Sequence, residues 1–147
     1  MFEKTFNAGW GDVDPNSHMR NSAYLDRCSD VRVMYFAENG FPSTEFMRLR
    51  IGPVIMKDEL EYFREIGLLE AVKVTYVQAG LSEDGSRFLV RNEFYKTDGK
   101  LAARVTSTGG WLDLTTRKLI VPPSAMLQAM KALEKTNDFQ VLASSIK

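Results

Sequence analysis

From Trp10 to Asp26 the chain reads WGDVDPNSHMRNSAYLD, and a change of character inside this stretch decides the fold. Its first part, Gly11 to Ser22, crowds Gly, Asp, Pro, Asn and Ser together with no regular period, the composition of a loop. From Ser22 onward the period becomes helical. Tyr24, Cys28, Val31 and Tyr35 stand at i, i+4, i+7 and i+11, and Gly40 follows as a stop. The spacing predicts one long helix over 22–39, with Asn21 or Ser22 chemically suited to cap it, since either side chain accepts from the free amides of a first turn. Leu25, Val33, Met34 and Phe36 widen the apolar surface beyond a single stripe, so a curved partner must wrap the helix.

Outward from this stretch, the chain is mostly strand. Phe2, Phe6, Ala8 and Trp10 share one parity, which predicts a half-buried strand before the loop. Beyond the helix, Met56 to Phe63, Val72 to Tyr76 and Phe88 to Phe94 alternate apolar with polar residues, and Asp98-Gly99 links the last of these to Leu101 through Leu112 as a hairpin. Gly109-Gly110 marks a bulge or a close backbone approach. After Pro122-Pro123, Ser124 is placed to cap a short helix carrying Met126, Leu127, Met130 and Leu133. The last dozen residues carry no clear signal. Five main strands and one long helix after the first strand make an α+β fold in one domain, 1–147, with an antiparallel sheet packed on the helix. One sheet face should meet the helix and the other water or a partner subunit.

Composition removes several function classes. Nineteen basic and nineteen acidic residues cancel, and they are scattered, so nucleic acid and anionic membrane are not the expected partners. No apolar run is long enough to span a bilayer, and MFEKTFNAGWGD does not read as a signal peptide, so the expected location is cytoplasmic. A single cysteine, Cys28, allows no internal disulfide and stands among apolar helix positions, where core packing is its expected role. No Cys/His cluster at metal spacing accompanies it, so no metal and no resident cofactor are expected.

The stretch WGDVDPNSHMRNSAYLD, with Asp12, Asp14, His18, Asn21, Tyr24 and Leu25, resembles the active-site signature of the 4-hydroxybenzoyl-CoA thioesterase family, a branch of the hotdog superfamily. The later segment DELEYFREI, Asp58 to Ile66, is similar to the strand that in such enzymes ends with an aromatic residue and an arginine. The resemblance implies a hotdog fold, a five-stranded antiparallel sheet wrapped around one long central helix, assembled as a homodimer or a dimer-of-dimers tetramer with each active site at a subunit interface. It implies an acyl-CoA thioesterase with coenzyme A thioester as substrate. Asp14 matches the catalytic carboxylate, and the backbone amide of Asn21 matches the helix N-terminal donor that polarises the carbonyl. Two positions depart from the family: Ser17 stands where relatives commonly have Gly, and Arg20 where they commonly have Asn.

The residues suit that chemistry. A thiolate leaves without a strong general acid, so hydrolysis needs a carboxylate on one side of the carbonyl, as nucleophile or as general base, and oxyanion donors on the other. A loop running into a helix start supplies both, because the first amides of a helix are free and its dipole favours negative charge. Asp14 before Pro15 is held out of the helical region, although Asp-Pro also simply starts turns. Asp12 is expected to bond loop amides. Base, substrate-orienting donor and plain loop residue are all open to His18, the single histidine. Asn16, Ser17, Arg20, Tyr24 and Tyr62 are candidate substrate contacts, with Tyr62 and Phe63 either lining an acyl pocket or filling core. Lys57, Lys73, Arg87, Arg91 and Arg104 either meet the phosphates of coenzyme A or are solvated strand positions. Two other functions fit the same fold: an acyl-CoA hydratase, whose Asp and His spacing differs from that of Asp12, Asp14 and His18, and a non-catalytic acyl-CoA or acyl-carrier-protein binding module.

Overall fold

The computed structural model describes residues 1–146. Strand β1 spans Phe2–Asn7, helix α1 Asn21–Glu38, helix α2 Ser43–Leu49, strand β2 Ile51–Tyr62, β3 Ala71–Ser82, β4 Arg87–Lys96, β5 Leu101–Asp113, the short β6 Leu119–Ile120, helix α3 Ser124–Ala132 and strand β7 Lys135–Leu142. Five strands follow the order β1-β3-β4-β5-β2, every neighbouring pair antiparallel. Two additions extend this sheet: β6 pairs with β5, and β7 runs parallel to β3.

Helix α1 forms because its apolar positions recur at helical spacing, and the structure buries the expected ones: Tyr24, Cys28, Val31, Tyr35 and Phe36 enter one core with Val74, Tyr76, Val90, Phe94 and Val105 of the sheet. Burial of such side chains contributes on the order of 2 kcal/mol each, before conformational entropy is counted. The Cys28 thiol lies fully inside, and that burial pushes it up to about 12, so it has no thiolate character near neutrality. Among the described residues no helix is long and apolar enough to cross a membrane.

Several sequence expectations change. The first strand stops at Asn7, and Trp10 sits in a 3-10 turn, Trp10–Asp12, with its ring on the surface rather than in the core. Trp10 shares the strand's parity but lies beyond its end. The position capping α1 is Arg20, and the one capping α3 is Pro123; neither makes a side-chain cap, so Asn21 and Ser124 are first helical residues instead. Val33 is exposed rather than wrapped. Helix α2, the first half of β2 and β7 lie in segments that showed no periodic signal.

Gly109 and Gly110 are a close approach. A Cβ on Gly109 would collide with the Val54 carbonyl and the Phe88 ring, and one on Gly110 would stand 2.9 Å from the Ser86 carbonyl oxygen. The bulge lies on the facing strand: Ile55 pairs with Gly109 and Lys57 with Thr108, which leaves Met56 as the extra residue. Gly80 plays the same part for β7, whose Gln140 carbonyl would lie 3.2 Å from a Cβ there.

Candidate active site

The loop before α1 is a miniature hairpin. Val13 bridges Met19, the Asp14 amide donates to the His18 carbonyl at 3.0 Å, and the Ser17 amide donates to the Asp14 carbonyl at 2.9 Å. Pro15, the second residue of this turn, is pre-set for it. Ser17 then adopts φ 67°, the left-handed conformation that closes such a three-residue hairpin and that glycine adopts without penalty. The departure from Gly at this position therefore leaves a strained backbone in the middle of the candidate site. The hairpin base is fixed by a His18–Gly67 bridge and by the Met19 amide donating to the Ile66 carbonyl at 2.7 Å.

The two acids of this loop have different surroundings. Asp12 Oδ2 accepts from the Gly9 amide and from Arg27 Nη2, both at 2.8 Å. Burial works to raise its carboxyl, but the Gly9 amide and the Arg27 guanidinium outweigh that and hold it below the ordinary value. It bonds a loop amide, as expected, and through Arg27 it also ties the loop to α1. Asp14 Oδ1 accepts the Asn16 amide at 2.9 Å, which makes Asp14 the head of an Asx turn. It has no ion-pair partner among the described residues. Asp14 therefore keeps an unneutralised carboxylate, and it opens on a crevice of about 490 Å³.

His18 and Asn21 join Asp14 on one wall of this crevice, and Tyr24 projects from the first turn of α1. Asn21 is the first helical residue, so its amide has no intrahelical acceptor, and none is found elsewhere among the described residues. The His18 Nε2 lies 3.7 Å from Glu65 Oε1. Tyr24 is buried, edge-on to Tyr62 at 5.3 Å and to Phe94 at 5.0 Å, and burial pushes its phenol up to about 12, so it remains a hydroxyl donor near neutral pH. Tyr62 at the end of β2 and the three residues after it complete the lining. Tyr62 and Phe63 are about half exposed here, not core, and Arg64 and Glu65 complete the rim.

The structure thus gathers Asp14, His18, Asn21, Tyr24 and Tyr62 around one space. Asn16 and Ser17 lie in the turn without lining it, and the Arg20 side chain folds away, donating to the Gly11 carbonyl at 3.0 Å and to Ser22 Oγ at 2.9 Å. The strand cations lie elsewhere. Lys57 pairs with Glu59, Lys73 with Glu3, Arg91 with Asp138, and Arg104 with Glu93 and Glu61, while Arg87 reaches Ser145. Met19 lines the crevice too; Arg64, the arginine of the DELEYFREI resemblance, and Glu65 are not among the candidate contacts named from the sequence. The signal was their position directly after a strand that ends beside the loop.

A profile described as the thioesterase-like superfamily matches residues 8–130. The chain belongs to this superfamily. No curated protein matches the sequence. Among solved structures, similarity extends to a hypothetical protein from Staphylococcus aureus in complex with CoA, with 22% identity over 88% of this chain and 81% of that one, at a TM-score of 0.80. A 1,4-dihydroxy-2-naphthoyl-CoA thioesterase from Synechocystis gives 14% identity over 90% and 96% at 0.79. A DHNA-CoA thioesterase from Staphylococcus aureus gives 18% over 88% and 87% at 0.80. At these identities the likeness carries the fold, and the α+β arrangement above is the hotdog fold of those thioesterases.

Proposed function

We propose that this member of the superfamily is an acyl-CoA thioesterase of the 4-hydroxybenzoyl-CoA thioesterase type, hydrolysing a coenzyme A thioester to a free acid and coenzyme A. The observation that carries the reading is the shared crevice, in which a carboxylate without a counter-ion, Asp14, and a main-chain amide without an acceptor, that of Asn21, open on one space. The Asn21 amide would hold the carbonyl oxygen as negative charge develops on it, helped by the positive end of α1. Asp14 either attacks the carbonyl carbon or takes a proton from an attacking water, and the thiolate leaves in both cases. The neutral Tyr24 hydroxyl and the Tyr62 and Phe63 rings would orient the acyl group, and His18, held near Glu65, would steady the polar end of the substrate.

The same reading proposes a cytosolic homodimer. Strand β2 ends the β1-β3-β4-β5-β2 order with its outer edge unpaired among the described residues and with Ile55 and Met56 exposed, and an open edge of this length is a template for a second copy.

Asp14→Asn is the cleanest test, because the amide oxygen can still accept the Asn16 amide and keep the turn while the charge is gone. Thiol release from a panel of acyl-CoA substrates should fall at least about a hundredfold, with an unchanged circular dichroism spectrum. A folded variant that turns over normally refutes the assignment.

A further inference from the structure

The Val13–Met19 hairpin leans on the segment between β2 and β3, Glu65 to Glu70, which belongs to no helix or strand. Its far end is tied to the chain after β1, the Leu69 amide donating to the Ala8 carbonyl at 2.7 Å and the Ala8 amide to the Glu70 carbonyl at 3.0 Å. At its near end Ile66 is fully buried, but burial is non-directional and does not orient a peptide plane. Two side chains do that. Glu70 Oε1 accepts the Gly67 amide at 3.1 Å. Lys96, at the end of β4, places Nζ 2.9 Å from Glu70 Oε2 and 3.2 Å from Oε1, and it also donates to the Glu65 carbonyl at 2.5 Å. The two peptide groups flanking Ile66 are therefore each held by one member of a single ion pair, whose side chains are 23% and 27% exposed.

The Ile66–Gly67 peptide carries this connection into the crevice. A trans peptide unit is planar, and its N–H and C=O point in opposite directions. With the N–H turned to Glu70, the C=O faces the other way and accepts the Met19 amide at 2.7 Å. Met19 bridges Val13, the residue before Asp14, and the Asp14 amide donates to the carbonyl of His18. A continuous path thus runs from Lys96 through Glu70, the 66–67 peptide and Met19 to Asp14. The Asn21 amide is fixed independently, by a helix whose first turn buries Ala23 and Tyr24. Tyr62 and Phe63 are also held apart from the path, since the Phe63 and Arg64 amides donate to the Ala102 carbonyl at 2.8 and 3.0 Å. The Glu70 carboxylate lies near the crevice as well: after burial and Tyr62, it adds to what holds the Tyr24 phenol up at about 12.

We propose that Lys96 and Glu70 are a positioning pair for the candidate active site, orienting the Ile66–Gly67 peptide so that the hairpin holds Asp14 in place against the Asn21 amide. Neither residue lines the crevice. This role rests on the thioesterase reading and deepens it, because the placement of Asp14 against the amide then sets a rate. A misplacement of about 1 Å costs on the order of a hundredfold in rate, while the aromatic contacts to the acyl group survive. The pair therefore acts on kcat rather than on KM.

Thiol release from acyl-CoA substrates by Lys96→Met, Glu70→Ala, the double variant and Lys96→Arg tests this, together with amide hydrogen exchange followed by NMR. Lys96→Met should lower kcat by at least about tenfold with KM nearly unchanged. The double variant should lose little more than either single one, because both act along one path. Lys96→Arg keeps a cation that can serve both a carboxylate and a carbonyl, and should recover most of kcat. The Met19 amide should exchange at least about tenfold faster in Lys96→Met, with amides of the central strand β4 unchanged. Should Lys96→Met fail to fold, Glu70→Ala reads the same path. Asp14→Asn should lose turnover with Met19 exchange as in the unaltered chain; normal turnover there refutes the catalytic reading, and this role with it. Met19 exchange unmoved in the folded variants, or faster exchange with kcat intact, overturns the positioning role alone.

Discussion

Helix α1 borders two concavities, the Asp14 crevice and a cavity of about 320 Å³ under α2 lined by Phe36, Phe46, Phe88 and Trp111, and they are built by opposite means. The Asp14 crevice is made largely of near neighbours in sequence: a hairpin from Val13 to Met19, the helix start at Asn21, and a short segment after β2 stapled to the hairpin by two backbone contacts. Its decisive groups are a carboxylate and an amide that nothing among the described residues pairs with a counter-charge or an acceptor. The cavity under α2 is assembled from distant elements, and its polar cluster joins Arg32 to partners 60 and 75 residues away. The first can lose a functional group without losing the fold. The second cannot lose Phe36, Phe88 or Trp111 so cheaply, because these walls belong to the core.

That contrast is open to direct attack. Trp111→Ala should cost about 3–5 kcal/mol of stability, as expected for a fully buried aromatic, read as a lower midpoint in urea unfolding; a small loss would mean that the cavity walls are not core. Asp14→Asn should do the reverse, its hundredfold loss of thiol release accompanied by less than about 1 kcal/mol in the same unfolding experiment, since the turn bond survives.

Asp12→Asn should cost about 1.5 kcal/mol, the low end for a hydrogen bond with a charged partner, and the cost should depend on pH. The folded carboxyl lies below its ordinary value of 3.8, so its contribution is present above that value and disappears as pH falls through the lowered folded value. The stabilities of variant and parent should therefore differ at neutral pH and converge in acid below about 3.8; a constant gap would show that the Arg27 and Gly9 contacts do not depend on ionisation. The smallest effect is the most local. Ser17→Gly should raise stability by about 1 kcal/mol, the size of the left-handed penalty for a residue with a Cβ, measurable as a higher Tm.

Legibility in the sequence followed the same division. Helix α1 and the central strands could be read because burial on one face writes a period, and Tyr24, Cys28, Val31 and Tyr35 all lie where that period puts them. The crevice could be read because a loop of Gly, Asp, Pro and Asn running into a helix start is contiguous. Helix α2 was silent because it is seven residues long and buries none of them. Strand β7 was silent because most of its residues are exposed and no alternation marks it. Arg32 was invisible for a different reason: on an amphipathic helix a lone arginine reads as solvated, and only the distant Asn92 and Ser107 draw it inward. Tyr62 and Phe63 were ambiguous for lack of knowing where β2 ends.

One margin of β3 is divided between the two ends of the chain, with Ala71 to Tyr76 bonded to β1 and Gln78 to Ser82 bonded to β7. During synthesis the first part of that margin finds its partner in strands already made, but the second stays bare until residues 135–142 leave the ribosome. The nascent protein thus carries an unprotected hydrogen-bonding border, the kind that invites aggregation, from the completion of β3 until β7 is made. Closing it falls to β7, which makes the least conspicuous strand the one that seals this margin.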